Sequence, residues 1–278
     1  NMTKIITELC QNHNGNVDVL RDMIMSAKEG GSDIVKIQSI KADSLTKRNE
    51  YETFRKYKDE YERFKTLELT YDNEKEFVEL SRSNNLIPMT TIFSTKHHDY
   101  YNSVGYDYLK LSGYSMEEFD YGLKLDKFNF KHLVFSTSSL TWEEIKRCVD
   151  NLKGIEFTML NCTCVYPTTM DKLNLQNIPF YKRYFGLDSV GLSDHSNPYE
   201  DNLLSSKLGI FQGIDMLERH YTILGKDETR DGKVSINLDM LKELKRFINS
   251  TKEEQYQEIN KFNEQQEFNH QYYKGRFK

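Results

Sequence analysis

The sequence SVGLSDHS at 189–196 and the sequence GIDMLERHYT at 213–222 share one design. In each stretch, an apolar run typical of a buried strand leads into a polar cluster that contains a histidine. A helical pattern separates the two stretches, as expected for parallel strands joined by a crossover helix. If the two strands are neighbours, His195 and His220 emerge at the same end of one sheet.

Two histidines placed in this way could share a divalent ion. Neutral imidazoles, with Asp194 and Glu218 close by, suit an ion such as Mn, Zn or Fe. A single histidine at a strand end is more often an ordinary core or surface residue than a ligand. The metal-site interpretation therefore requires a fold that brings His195 and His220 together.

The rest of the chain predicts such a fold. We expect further strands at 4–10, 33–38, 86–93, 106–112, 132–137 and 155–161. We expect helices at 17–28, 73–83, 95–103, 116–125, 141–152, 202–208 and 238–249. Eight strands with continuous apolar runs, seven of them followed by an expected helix, predict an α/β protein, a (β/α)8 TIM barrel with a C-terminal helical extension. No glycine-rich fingerprint favours an open doubly wound sheet.

The domain boundaries follow from this pattern. Residues 1–250 are expected to form the barrel, and residues 251–278 a helical tail. Asn16 is expected to cap the first helix, and Thr141 to cap a later one. The segment 39–70 is long, charged and aromatic. Because insertions of this size usually carry function, we expect it to form a lid or one wall of a pocket.

Composition limits the partners of this chain. It has 278 residues, of which 37% are hydrophobic, and a net charge of −5, which argues against a nucleic-acid partner. No apolar run reaches the roughly 20 residues that cross a bilayer, and no signal-peptide pattern opens the chain, so we expect a cytoplasmic protein with no membrane partner. The four cysteines are expected to be reduced thiols, since no CxxC pair occurs: Cys10, Cys148, Cys162 and Cys164.

Polar side chains cluster at the expected carboxyl ends of the strands, where TIM barrels build their active sites. They are Glu8, Lys36, Gln38, Thr91, Lys110, Ser136, Asn161, Ser193, His195, Glu218 and His220. The two lysines and the hydroxyl groups make a cationic, donor-rich set that suits a phosphate and a carboxylate together. Glu8 is expected either to act as a general base or simply to balance the lysines.

Four motifs, in order along the chain, resemble one known family. They are TELCQNHNG at 7–15, VKIQ at 35–38, GLSDHS at 191–196 and LERHYT at 217–222. They are similar to motifs in the catalytic barrel of the N-acetylneuraminate (sialic acid) synthase family, and the resemblance extends from residue 4 to about residue 244. Members of that family join phosphoenolpyruvate to an open-chain N-acyl hexosamine.

The resemblance implies a role for each site residue. His195 and His220 would hold a divalent ion, Mn or Mg, that activates the sugar aldehyde. Phosphoenolpyruvate would be bound by Lys36, Thr91, Lys110, Ser112, Ser136 and Ser193, and the sugar and water side lined by Glu8, Gln38, Tyr166 and Asp231. Of these residues, Glu8, Lys36, His195, His220 and Asp231 would be catalytic. A homodimer is also implied.

The implied reaction begins with attack of the enol carbon on the aldehyde. The resulting oxocarbenium carbon takes up water, and phosphate leaves by cleavage of its C–O bond. The product is a sialic-acid-like, or nonulosonic, 2-keto-3-deoxy acid. Such chemistry needs cations at the leaving group, an ion at the electrophile and a carboxylate that stabilises positive charge and directs water.

The chain departs from the family pattern at several positions. Cys164 stands where the family usually has asparagine, Tyr114 where it has glutamate and Ser138 where it has glycine. Family members typically continue into a small antifreeze-like domain, which we expect to be missing because the residues after 250 look helical and too few. Either the acceptor differs from an N-acetyl hexosamine, or another element such as 39–70 covers the pocket.

Two alternatives to a synthase stay open at this stage. The first is a metal-dependent aldolase or isomerase on the same barrel, which the lysine and serine set disfavours unless its substrate is phosphorylated. The second is a non-catalytic, sugar-binding descendant. The presence of Glu8, Lys36, Lys110, His195 and His220 together argues against decay of the site.

Overall fold

Eight parallel strands close into a barrel in a computed structural model that describes residues 2–260 and 264–277. The strands are β1 (Lys4–Cys10), β2 (Ile34–Gln38), β3 (Ile87–Thr91), β4 (Tyr108–Leu111), β5 (His132–Ser136), β6 (Phe157–Cys162), β7 (Val190–Asp194) and β8 (Met216–His220). Each strand pairs with the next along the chain, and β8 pairs with β1. The predicted (β/α)8 barrel is therefore confirmed.

Helices surround this barrel. They are α1 (Val17–Glu29), α2 (Asn49–Glu52), α3 (Tyr57–Leu67), α4 (Tyr71–Ser83), α5 (His98–Val104), α6 (Trp142–Asn151), α7 (Asn177–Phe185), α8 (Pro198–Asp201), α9 (Leu204–Phe211), α10 (Leu238–Asn249), α11 (Lys252–Ile259) and α12 (Glu264–Tyr272). The side chain of Asn16 accepts from two backbone N–H groups at the start of α1, and Thr141 forms a capping box with Glu144 at the start of α6. Both predicted caps are confirmed.

The helix predicted at 116–125 is wrong. The segment instead follows a 3-10 turn at Gly113–Ser115 and contains another at Asp120–Gly122. Asp120 and Tyr121 have φ values of 46° and 52°, and left-handed residues cannot continue a right-handed helix.

Other helices also differ from the prediction. The helix expected at 202–208 begins two residues later, because Asn202 and Leu203 are left-handed as well. Helix α7 was not predicted at all. Its Pro179 discourages a helical assignment, but a proline in the first turn needs no hydrogen-bond donor.

The insertion 39–70 contains a 3-10 turn at Ala42–Ser44 and the helices α2 and α3. At the other end of the chain, α11 packs on the barrel's outer helices, where Lys207 of α9 pairs with Glu258 at 2.6 Å. The tail 251–278 as a separate unit stays a prediction, and its residues 261–263 and 278 lie outside the described residues. Within the described part of the chain, no helix has the length and apolarity needed to cross a bilayer.

Alternation along the strands separates the barrel's interior from its outer wall. The floor of the interior is apolar and buried: Ile6, Ile34, Met89, Val134, Leu160 and Met216. Two positions further along these strands toward their carboxyl ends, the inward side chains are polar or, in β6, a cysteine. Residues of opposite parity face the helices, among them Asp194, which forms an ion pair with Arg219 at 2.8 Å. Asp194 is also bound by Ser206 of α9, so the expectation that it lies beside an ion is wrong.

Candidate active site

A cage of ion pairs lies above the apolar floor. Lys110 Nζ donates to both carboxylate oxygens of Glu218, at 2.8 and 2.9 Å. Lys36 Nζ contacts the carboxylate of Glu8 and lies 3.5 Å from Glu218. None of the four side chains is more than 5% exposed. Because two carboxylates meet two ammonium groups, the set expected to be cationic is balanced in charge, as the alternative role of Glu8 suggested.

Hydroxyl groups complete the cage. Thr91 Oγ1 accepts from Lys36 Nζ at 2.7 Å, and Ser193 Oγ donates to Glu218 at 2.7 Å. Ser136 Oγ accepts from the backbone N–H of Gly113 at 3.1 Å. Ser112 lies at the same end of the barrel, where its hydroxyl bonds that of Ser115. The structure therefore brings the predicted phosphoenolpyruvate set together at one end of the barrel.

Burial and the neighbouring charges control the protonation of this cage. Burial lowers the pKa of Lys36 to about 7, the charge of Lys110 acts in the same direction, and Glu218 opposes both. Burial alone would raise the pKa of Glu218, but Lys110 and Lys36 outweigh it and hold that pKa well below its usual range. Glu218 is therefore a fixed negative charge, whereas Lys36 titrates near neutrality.

The two histidines lie side by side in the mouth of the barrel. Their ring centroids are 5.1 Å apart, and both residues are buried. Tyr166, from the loop after β6, places its hydroxyl 3.1 Å from His195 Nε2. Burial lowers the pKa of His195 to about 3, with a further contribution from His220, and burial also lowers the pKa of His220. Both rings are therefore neutral near pH 7 and have lone pairs available for an ion.

The surroundings of His220 fit a divalent ion. His220 Nδ1 lies 3.6 Å from Asp231 Oδ2 and is buried without a hydrogen-bond partner among the described residues. The Cys10 thiol donates to the same carboxylate, with Sγ 3.2 Å from Oδ2. Nitrogen, oxygen and sulfur ligands thus converge on one side of the His220 ring, beside His195.

The insertion reaches the mouth through a chain of hydrogen bonds. Arg63 of α3 donates to Gln11 Oε1 at 2.8 Å. Gln11 in turn donates to Gln38 Oε1 at 3.2 Å. These hydrogen bonds connect the insertion to Gln38, a residue of the predicted sugar side of the site.

Comparison with known proteins decides the family of this barrel. The NeuB family model matches residues 23–260. The chain belongs to the NeuB family.

Named relatives of this NeuB chain are synthases. It is 29% identical to N,N'-diacetyllegionaminic acid synthase of Campylobacter jejuni over 87% of this chain and 74% of that protein. It is 27% identical to pseudaminic acid synthase of the same organism, over 86% and 70% of the two chains. It is 26% identical to N-acetylneuraminate-9-phosphate synthase of Mus musculus, over 88% of this chain and 68% of that protein. The resemblance inferred from the four motifs is confirmed, and this NeuB chain is an enzyme.

Solved structures share the fold. The N-acetylneuraminic acid synthetase of Leptospira borgpetersenii superposes with a TM-score of 0.78 at 21% identity, covering 98% of this chain and 91% of that one. A spore coat polysaccharide biosynthesis protein, SpsE of Bacillus subtilis, gives 0.76 at 23% identity, covering 95% and 72%. At these identities the likeness concerns the barrel fold alone.

Sequence reasoning missed three residues of the candidate site. Glu218 was noted at its strand end but not as the partner of both lysines. Cys10 and Cys162 were treated only as thiols, whereas Cys162 Sγ lies 3.8 Å from His195 Nδ1. The alternation of β6 could have shown that Cys162 faces inward, whereas a β-bulge between Glu8 and Cys10 interrupts the alternation of β1 before Cys10. Cys164, one of the departures from the family pattern, is exposed.

Proposed function

We propose that this NeuB-family enzyme condenses phosphoenolpyruvate with an open-chain aldose, an N-acyl hexosamine or a close analogue. The products would be a sialic-acid-like 2-keto-3-deoxy acid and phosphate. The observation that carries the proposal is the adjacency of the buried lysine cage to the histidine pair inside one barrel. An anion and an aldehyde bound there would meet with their reacting carbons close together.

The cage is suited to the phosphoenolpyruvate end. An ammonium group has three protons, and Lys110 directs its two described hydrogen bonds at Glu218, which leaves a donor for a substrate anion. Ser136 and Ser193 add hydroxyl groups beside it. The buried surroundings strengthen such contacts, because few water molecules compete for the donors. Lys36 and Lys110 would stabilise phosphate as it leaves.

The histidine end is suited to the aldehyde. His195 and His220 would hold the ion, with Asp231 beside it, and a bound Mn or Mg ion would polarise the aldehyde oxygen. Asp231 and Glu8 are the carboxylates able to receive a proton from water or to stabilise positive charge. Tyr166 would orient His195 through its hydroxyl group.

Covering of the pocket by the insertion 39–70 is part of the proposal. Support comes from the hydrogen-bond chain Arg63–Gln11–Gln38, which joins α3 to the sugar side. A closed mouth would exclude bulk water from the oxocarbenium carbon and leave one directed water molecule to react. Homodimer formation and a cytoplasmic location stay predictions from the sequence.

The test is phosphate release with the purified chain. We expect release that requires phosphoenolpyruvate, a divalent ion and an aldose together, and a panel of N-acetylated hexosamines and hexoses would identify the acceptor. No release across that panel with the ion present would contradict the proposal. Cleavage of a 2-keto acid without formation of phosphate would instead favour the aldolase alternative.

A further inference from the structure

We propose that Cys10 supplies a thiolate ligand to the ion, beside His220 and Asp231. The site would then select a thiophilic divalent ion such as Zn²⁺ or Co²⁺ over Mg²⁺. This inference rests on the ion site of the proposed function and deepens it by naming the chemical class of the ion.

The geometry of the three groups supports a shared ion. Asp231 Oδ2 lies 3.2 Å from Cys10 Sγ and 3.6 Å from His220 Nδ1. One ligand atom from each of the three residues lies within 4.8 Å of the others. Bonds of about 2.0–2.3 Å to a tetrahedral ion place its ligand atoms roughly 3.3–3.8 Å apart. Small side-chain shifts would therefore bring all three onto one ion.

An unpaired buried atom points independently to a ligand at this place. His220 Nδ1 has no hydrogen-bond partner within the described part of the chain, although the residue is only 5% exposed. Buried polar atoms in native proteins are nearly always paired, and an exception calls for an explanation such as an ion. The unpaired nitrogen faces Asp231, whose carboxylate also accepts a hydrogen bond from the Cys10 thiol.

The backbone at Cys10 is shaped to deliver the sulfur. Cys10 has a φ of 51°, a left-handed conformation that glycine adopts freely and other residues adopt rarely. It also follows a β-bulge, since the pairing of β1 with β2 shifts register between Glu8 and Cys10. Bulges next to active sites re-aim side chains, and strained residues persist where function maintains them. Here the bulge directs a thiol toward Asp231.

The chemistry of sulfur then determines the choice of ion. When the ion binds, the S–H bond breaks, the proton passes to solvent and the sulfur lone pair forms the bond to the metal. Thiolate and imidazole ligands favour Zn²⁺ and Co²⁺, whereas Mg²⁺ demands oxygen ligands in near-octahedral geometry. Adding a sulfur ligand to the histidine nitrogen and carboxylate oxygen of this site discriminates in favour of the first group.

The test is a Co²⁺ titration of the full chain alone. Binding is monitored by the near-ultraviolet thiolate-to-cobalt absorption band. We expect the band in the unsubstituted protein and in the control variants Cys162→Ser, which removes the other thiol of the mouth, and Cys148→Ser. We expect it to disappear in Cys10→Ser and in Cys10→Gly. The dissociation constant for Zn²⁺, measured by calorimetry, should rise at least about tenfold in both Cys10 variants.

Cys10→Gly separates loss of the band from loss of folding, because glycine tolerates a φ of 51°. Far-ultraviolet circular dichroism will show whether each variant is folded. A band that survives in both Cys10 variants, or that is lost in Cys162→Ser, would overturn the inference, as would no band in the unsubstituted protein at saturating Co²⁺. Because neither substrate is present, the outcome is independent of turnover. A band without phosphate release would support this inference and contradict the proposed function, and release without a band would do the reverse.

Discussion

Glu218 of β8 accepts both described hydrogen bonds of Lys110 from β4, on the opposite side of the barrel, at 2.8 and 2.9 Å. The same carboxylate also accepts a hydrogen bond from the Ser193 hydroxyl group, and one of its oxygens lies 3.5 Å from Lys36 Nζ. One buried anion thus contacts both lysines. Removal of that anion would leave two ammonium groups with a single remaining carboxylate, Glu8.

Glu218→Gln is expected to lower the free energy of unfolding by about 3 kcal/mol, because breaking a buried ion pair leaves an uncompensated charge. Urea denaturation at pH 7 measures the change. The matched control is Asp150→Asn, which removes the exposed partner of Lys153 and should change stability by less than about 0.5 kcal/mol. Equal effects of the two substitutions would contradict the structural role of Glu218.

The pH dependence of phosphoenolpyruvate use should follow Lys36. Its pKa, lowered by burial to about 7, means that the ammonium form is present below neutrality and is lost as the pH rises through that value. We therefore expect kcat/KM for phosphoenolpyruvate to fall above about pH 7, since this ratio reports the free enzyme. Lys36→Arg keeps its charge and should move the fall to higher pH. An unchanged profile in that variant would show that another group titrates.

Removal of the ion should abolish turnover. Dialysis against a chelator is expected to stop phosphate release, and added divalent ion should restore it in the unsubstituted protein. His195→Ala and His220→Ala, each lacking one proposed ligand, should reduce kcat at least about 100-fold even with excess ion. The measurement is phosphate release at saturating substrates. Full activity after chelation would contradict a metal-dependent mechanism.

Arg63→Ala should weaken binding of the sugar and leave phosphoenolpyruvate unaffected. Loss of the charged donor to Gln11 releases Gln38, so we expect KM for the sugar to rise about tenfold, the equivalent of one hydrogen bond to a charged group. Lys58→Ala, an exposed position on the same helix, is the control and should have no effect. A similar rise in both Michaelis constants would place Arg63 outside the sugar side.

The barrel and its inward polar residues were predictable because strand alternation is a local signal. Counting by two from Ser193 reaches His195, and counting by two from Glu218 reaches His220, so each pair faces the interior together. Closure of eight strands then places these pairs in one mouth. The sequence alone carries that much information.

Partnerships across the barrel were not predictable from the same signal. Lys110 and Glu218 are 108 residues apart, and nothing local indicates that they meet. Alternation places Asp194 on the outer wall, but no local pattern indicates that its partner there is Arg219. Left-handed residues such as Tyr121 prevent the helix that periodicity alone predicts at 116–125. Long-range pairing and backbone exceptions required the structure.

The central claim concerns which bond of phosphoenolpyruvate breaks, and an isotope label tests it directly. Phosphoenolpyruvate carrying ¹⁸O in the oxygen that bridges carbon and phosphorus is turned over with the acceptor sugar, and mass spectrometry locates the label. Cleavage of the C–O bond after water adds to the carbon predicts that the label leaves with phosphate. Label retained in the keto acid would show P–O cleavage and contradict the mechanism proposed for this barrel.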